Sequence, residues 1–435
     1  MLGKLIAQFL MRFSKRHKIM DVDKPVVFIL GPTGVGKTKL SIELAQKFDG
    51  EIISADSMQV YRNLDIITNK VTNEEMQGVP HHMINFVDPL KFFTSVDYRN
   101  QTLPIIKNVL DRRKVPIVVG GTMYWIECLL YDVLIRPEKN ETISLQVLEE
   151  VREDSLGDEF SLSNEDITKE TLFSNIIEPK YLRAVPAENL HKILQEIDPE
   201  RAQFIHPSEK RKTIRSLQIY QQTGKTHTDW LNEQKNIGSH LGGPLRFKNS
   251  LILLLTCDED VLNERINKRI EQMLDMGLVQ ELLDFHDQYN LTRLESNIKP
   301  DYTEGIFQSI GFKEFHDYLT LPVEERVSEN GSKVFNRSVA CLRSATRKYS
   351  REQIKWIRNR ILKCTEREVP QVFELDSTFP DHWDDVVRSR AEKILNYHIK
   401  GDCILFPIRP LKRGQVPESM EAKKRCRNRK SRRKP

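Results

Sequence analysis

Residues 31–38 read Gly-Pro-Thr-Gly-Val-Gly-Lys-Thr and fit the pattern G-x-x-x-x-G-K-[ST]. A short apolar run at 26–30 precedes them, and a stretch placing Leu40, Leu44, Ala45 and Phe48 on one helical face follows. Strand, glycine turn and helix in that order commit the segment to a parallel α/β layer. The glycines let successive backbone N–H groups turn inward, and the helix start adds about half a positive charge. Lys37 supplies a full charge, and the Thr38 hydroxyl is placed to meet Mg2+. Gly31, Thr33, Gly34, Val35, Gly36, Lys37 and Thr38 therefore form a cradle for a diphosphate or triphosphate group.

Further apolar runs follow at 51–55, ending in Asp56, at 115–119, ending in Gly120-Gly121-Thr122, and at 251–255. Strands alternating with helices of this size predict an α/β fold, a P-loop NTPase-like doubly wound parallel sheet with its chemistry at the carboxyl ends of the strands. The catalytic core is expected to comprise residues 25–140 and 246–365. Residues 141–245 read as an inserted, mainly helical domain, whose acidic stretch 141–172 resembles a surface insertion. Residues 261–363 are long-helix material. Residues 366–435 are expected to be an extension, irregular after Pro370 and ending in a basic tail.

Charge is uneven along the chain. Residues 1–20 carry Lys4, Arg12, Lys15, Arg16 and Lys18 without an acid, and residues 423–435 carry nine Lys and Arg, against a net charge of only +5. The body between these ends is thus net acidic, and any binding of a polyanion by it needs a local patch. The basic residues 1–24, with Leu5, Ile6, Phe9, Leu10 and Phe13 interleaved, have the composition of a mitochondrial transit peptide or of a plain basic leader. Met11 and Met20 allow initiation downstream, so cytoplasm and mitochondrion are both expected, and the basic tail adds the nucleus. No apolar run approaches the roughly 20 residues of a membrane span. The six cysteines show no C-x-x-C pair and read as free thiols. Nothing reads as an oligomer interface, so a monomer is expected.

The loop leaves the reaction open. An ATPase needs an apolar strand ending in an acid that holds Mg2+, whereas the run 115–119 ends in Gly-Gly-Thr; Asp56 and Asp258 remain candidates for that task. Three roles are open to Asp56 taken alone: proton acceptor, Mg2+ ligand or helix cap. Thr122 can position a donor oxygen or nitrogen.

Taken together these segments are more informative. G-P-T-G-V-G-K-T (31–38), D-S-M-Q-V-Y (56–61), P-H-H (80–82) and V-V-G-G-T (118–122) are followed by D-P-E-R-A (198–202) and H-P-S-E-K-R-K-T-I-R (206–215). Then come R-I-N-K-R-I-E-Q-M-L-D-M-G-L-V (265–279), Q-S-I-G-F-K-E-F (308–315) and T-R-K-Y-S-R-E-Q-I-K-W-I (346–357). Over roughly residues 25–360 the chain resembles the tRNA dimethylallyltransferases (tRNA isopentenyltransferases), most nearly the fungal enzymes serving cytosol and mitochondria.

The resemblance implies transfer of a dimethylallyl group from dimethylallyl diphosphate to the N6 amine of the adenine 3′ of the anticodon. Asp56 would be the general base, Thr33, Thr122 and Lys37 would be catalytic, and Mg2+ would sit at Thr38. Arg265 and Arg269 would join the P-loop in neutralising the departing diphosphate. The tRNA anticodon stem-loop would meet Asp56, Ser57, Met58 and Gln59, the basic stretch Arg211, Lys212 and Arg215, and Gln308, Gly311 and Lys313, with the adenine flipped from its stack. The inserted domain would then bind tRNA, although without the resemblance Arg211, Lys212 and Arg215 read equally well as a solvated helix face. Ser208, Glu209, Lys212 and Thr213 depart from the family pattern, and Lys212 lacks the planar fork of an arginine. No zinc finger is expected, because Cys403 and Cys426 have no partners at ligand spacing. The basic tail could instead act as an electrostatic clamp on tRNA, a nuclear import signal or a solvated end. A small-molecule kinase and a nucleic-acid-binding protein with a relic P-loop are the competing functions.

Overall fold

The computed structural model describes residues 24–132, 167–175, 185–237, 244–290, 305–365 and 367–401, with Tyr181 and Tyr302. The leader, most of the acidic stretch, Cys403, Cys426 and the basic tail lie outside the described residues.

The apolar runs form a parallel sheet. In chain order its first parts are β1 (Val26–Leu30), α1 (Lys37–Phe48), β2 (Gly50–Ser54), β3 (His81–His82), α2 (Ser95–Asp111), β4 (Val115–Val119) and α3 (Met123–Leu130). Next come the helices of the insertion, α4 (Ala187–Ile197), α5 (Pro199–Phe204), α6 (Lys210–Thr223) and α7 (His227–Ile237). The core resumes with β5 (Ser250–Thr256), α8 (Glu259–Asp275), α9 (Leu278–Phe285), α10 (Glu329–Ile357), β6 (Gln371–Asp376) and α11 (Ser389–Lys400). The strand order is β3-β2-β4-β1-β5-β6 with every pair parallel. Val27 stands between Ile117 and Leu251, so the P-loop strand lies in the middle of the sheet. Every residue of β1, β2, β4 and β5 is buried, as expected of central parallel strands covered on both faces.

The insertion has a core of its own, built on Leu190, Leu194, Ile214 and Leu217. Its two ends leave the main body side by side: Tyr131 bridges Leu245 in antiparallel fashion, and Asp132 N–H donates to the Pro244 carbonyl at 3.0 Å. Short ends that meet in this way let a module be inserted without disturbing the sheet.

The C-terminal boundary needs correction. Residues 371–400 are not irregular, because β6 extends the sheet beyond β5 and α11 packs its Ala391, Ile394 and Leu395 into the main core. The core therefore runs to residue 400.

Candidate active site

The carboxyl ends of β1, β2 and β4 open into a cavity of about 680 Å³. The P-loop forms its floor. Gly36 caps α1 with φ +96°, a left-handed conformation that favours glycine. Lys37 lies along the loop and its Nζ donates to the Gly31 and Pro32 carbonyls at 3.0 and 2.8 Å. Thr33, Gly34, Gly36, Lys37 and Thr38 line the cavity, whereas Gly31 and Val35 are buried behind it.

Asp56 follows the end of β2 and faces the loop across the cavity. Its Oδ1 accepts the Met58 N–H at 2.9 Å, which fixes the carboxylate locally. Burial raises its pKa, and the amides of Met58 and Gln59 and the charges of Lys37 and Arg269 oppose the rise. Lys37 is affected in the opposite sense: burial and neighbouring Arg269 bring its pKa down to about 7. Arg269, from α8, is likewise shifted down by burial, and among the described residues its Nε is buried without a hydrogen-bond partner. Two desolvated cations thus converge on a space in which Asp56 is the counter-charge, and an anionic guest would stabilise both.

One wall is the segment after Asp56. Gln59 donates to the Thr68 and Asn69 carbonyls at 3.2 and 3.1 Å, and Glu281 of α9 accepts the Ile66 and Ile67 N–H groups at 2.7 and 2.9 Å. Gln308 and Lys313 sit on the rim, while Ile270, Met273 and Leu342 make an apolar side. Gly311 packs beneath, at φ +115°, where a Cβ would stand 2.2 Å from Ile67 Cδ1. The opposite wall is α10. Gln353 accepts the Thr33 N–H at 2.8 Å and donates to the Gly121 carbonyl at 3.0 Å, and the Tyr349 hydroxyl donates to the same carbonyl at 3.1 Å.

The expected site residues divide accordingly. Thr33, Lys37, Thr38, Asp56, Ser57, Met58, Gln59, Arg269, Gln308 and Lys313 are brought together. Thr122 is not among the lining residues: its Oγ1 accepts the Ser57 N–H at 2.9 Å and donates to Ser57 Oγ at 3.1 Å, so it supports the Asp56 turn from behind. Arg265 is not in the cavity either. Its guanidinium donates to the Ser377 and Thr378 carbonyls, at 2.7 and 3.2 Å, because β6 ends beside it. Asp258 caps α8 through the Asp260 and Val261 amides, leaving Asp56 as the acid at the loop. Arg211, Lys212 and Arg215 lie on α6 in the inserted module, where Lys212 pairs with Glu209. Tyr349 and Gln353 also line the cavity; both belong to T-R-K-Y-S-R-E-Q-I-K-W-I (346–357), where no spacing in the sequence marks them.

Fold and cavity together define a P-loop α/β protein whose phosphate cradle faces a recessed carboxylate. A profile of the IPP transferase family matches residues 59–360. A tRNA dimethylallyltransferase of Mus musculus is 42% identical over 380 residues, 87% of this chain and 75% of that one. One from Saccharomyces cerevisiae is 32% identical over 403 residues, 92% and 81% of the two chains. The structure of a eukaryotic dimethylallyltransferase acting on tRNA superposes with a TM-score of 0.69 at 31% identity, covering 92% of this chain and 83% of the other. A tRNA isopentenylpyrophosphate transferase from Bacillus halodurans gives 0.51 at 28%, covering 93% and 99%. The chain belongs to the tRNA dimethylallyltransferase family.

Proposed function

We propose that the cavity transfers a dimethylallyl group from dimethylallyl diphosphate to the N6 amine of the adenine 3′ of the anticodon, with Asp56 as the base. The observation that carries this reading is the opposition of Lys37 and Arg269 to Asp56 across one cavity. Lys37, Arg269 and the loop amides hold the diphosphate, and Ile270, Met273 and Leu342 offer an apolar surface to the five-carbon group. Attack by the amine nitrogen forms the N–C bond as the allylic C–O bond breaks. The electron pair leaves on the diphosphate, and the amine proton passes to Asp56. An aromatic amine is a weak nucleophile, so removing this proton during bond formation contributes typically about 10²- to 10⁴-fold. Thr33, at the loop, borders the same space.

Thr38 fits a Mg2+ site of the kind completed by substrate: its side chain lines the cavity beside Lys37, and among the described residues no group of three His, Cys, Asp or Glu could hold an ion alone. Mg2+ held there by Thr38 would supply positive charge to the leaving group.

For tRNA, the rim residues Gln308 and Lys313 and the segment Ser57, Met58 and Gln59 are positioned at the cavity mouth, and Arg211, Lys212 and Arg215 offer a second contact. Incubation with dimethylallyl diphosphate, Mg2+ and unmodified tRNA, followed by nucleoside mass analysis, should show a dimethylallyl gain on adenosine. Absence of that gain with turnover of ATP would reject the reading in favour of a kinase-like activity.

A further inference from the structure

Beyond the residues matched by the family profile, the chain reaches back to the phosphate loop. Trp383 follows β6 and is only 7% exposed. Its six-membered ring lies against Gly36, where a Cβ would stand 2.8 Å from both Cη2 and Cζ3. Its Nε1 donates to Glu43 Oε1 and Oε2 at 3.1 and 3.0 Å, and the Lys39 ammonium lies over the ring at 4.7 Å from the centroid. One indole therefore spans the first two turns of α1, from its left-handed cap to Glu43. Gly36 lines the cavity on its other side. The strand end preceding Trp383 is itself fastened, since Arg265 of α8 holds the Ser377 and Thr378 carbonyls.

We infer that Trp383 is a positioning residue for the diphosphate cradle, and that β6 and the segment after it are part of the donor site. Three features support this. The ring occupies the one flank of Gly36 that a side chain at position 36 would need, so it holds the left-handed cap closed from outside. By covering that flank it keeps water from that side of Gly36, which strengthens the attraction of the loop amides for an anion. The hydrogen bond to Glu43 sets the indole's height along α1, so tilting the ring requires breaking a part-buried charge-assisted bond. This inference rests on the reading of residues 31–38 as a diphosphate site.

The test uses the full chain and inorganic diphosphate with Mg2+, followed by calorimetry, and then steady-state kinetics with dimethylallyl diphosphate and tRNA. Trp383→Ala should weaken diphosphate binding and raise the KM for dimethylallyl diphosphate by about tenfold, displaced positioning groups costing up to about 10²-fold, with the KM for tRNA within about twofold. Trp383→Phe, which keeps a ring on Gly36 and loses the Glu43 bond, should fall between. Should the alanine variant fail to fold, the phenylalanine variant and Glu43→Leu carry the same comparison. Wild-type protein that does not bind diphosphate would remove the underlying site. Wild-type binding matched by unchanged binding and unchanged KM in folded Trp383 variants would overturn the positioning role alone, whatever happens to Tm.

Discussion

Asp56 and Lys37 are displaced in opposite directions by the same burial, and the pH dependence follows from that. In the free protein the charged form of Lys37 is disfavoured, so half of it is lost near pH 7. Binding a diphosphate restores the cation. Complex formation above about pH 7 should therefore take up a proton, an uptake readable by calorimetry in buffers of different ionisation enthalpy. The profile of kcat/KM should rise as Asp56 loses its proton and fall as free Lys37 loses its own, whereas the falling limb of kcat should move to higher pH. An identical falling limb in both profiles would show that Lys37 is not held by the donor. Replacement of Asp56 gives a second check at this scale. Asp56→Ala should lower kcat by about 10²- to 10⁴-fold while tRNA affinity stays within a few fold; near-normal turnover would exclude Asp56 as the proton acceptor.

At the scale of elements, α10 ties the P-loop to the end of β4. The Gln353 side chain is the tie, 3% exposed and bonded to Thr33 and Gly121 at once. A Cβ at Gly121 would stand 2.5 Å from Gln353 Nε2, so a side chain there would displace the end of that glutamine. Gln353→Leu keeps the volume and removes both bonds. Tyr349 still serves the Gly121 carbonyl, so the Thr33 N–H is the group left unpaired, a loss of about 1–3 kcal/mol. Chemical denaturation should show that decrease, and unchanged stability would mean the tie is replaced by water. The cavity was legible in the sequence where its lining comes from the loop and from strand ends, as at Lys37, Asp56 and Thr38. It was not legible where a residue acts by crossing the sheet. Gln353 looks like any polar position of a long amphipathic helix until the helix is laid across β4. Arg265 lies outside the cavity lining for a related reason: it shares a helix face with Arg269, but its partner carbonyls follow β6. That strand, Gln-Val-Phe-Glu-Leu-Asp, is an edge strand with exposed ends and a half-exposed Glu374, so it lacks the continuous apolar run that revealed β1 and β5.

The whole molecule then has two different C-terminal parts, and truncation separates them. Removing residues 402–435 leaves β6, Trp383 and α11 in place, so folding and diphosphate binding should be retained. If the nine basic residues at 423–435 act as a clamp, this shorter chain should bind tRNA more weakly, most visibly at low salt, and its affinity should depend less steeply on salt concentration. Unchanged tRNA binding with lost nuclear import would assign the tail to targeting. Removing residues 366–435 is a different operation. It strips β5 of a neighbour along Leu251 to Thr256, exposes an apolar edge, and takes away the Arg265 carbonyl partners and the cover on Gly36. An unprotected strand edge of that composition is a site for association between chains. The longer deletion should therefore aggregate on expression, or lose diphosphate binding if it stays in solution, while the shorter one does neither. A soluble 366–435 deletion with full diphosphate affinity would show that the sheet and the cradle are complete at β5, and that β6 is an ornament of the fold.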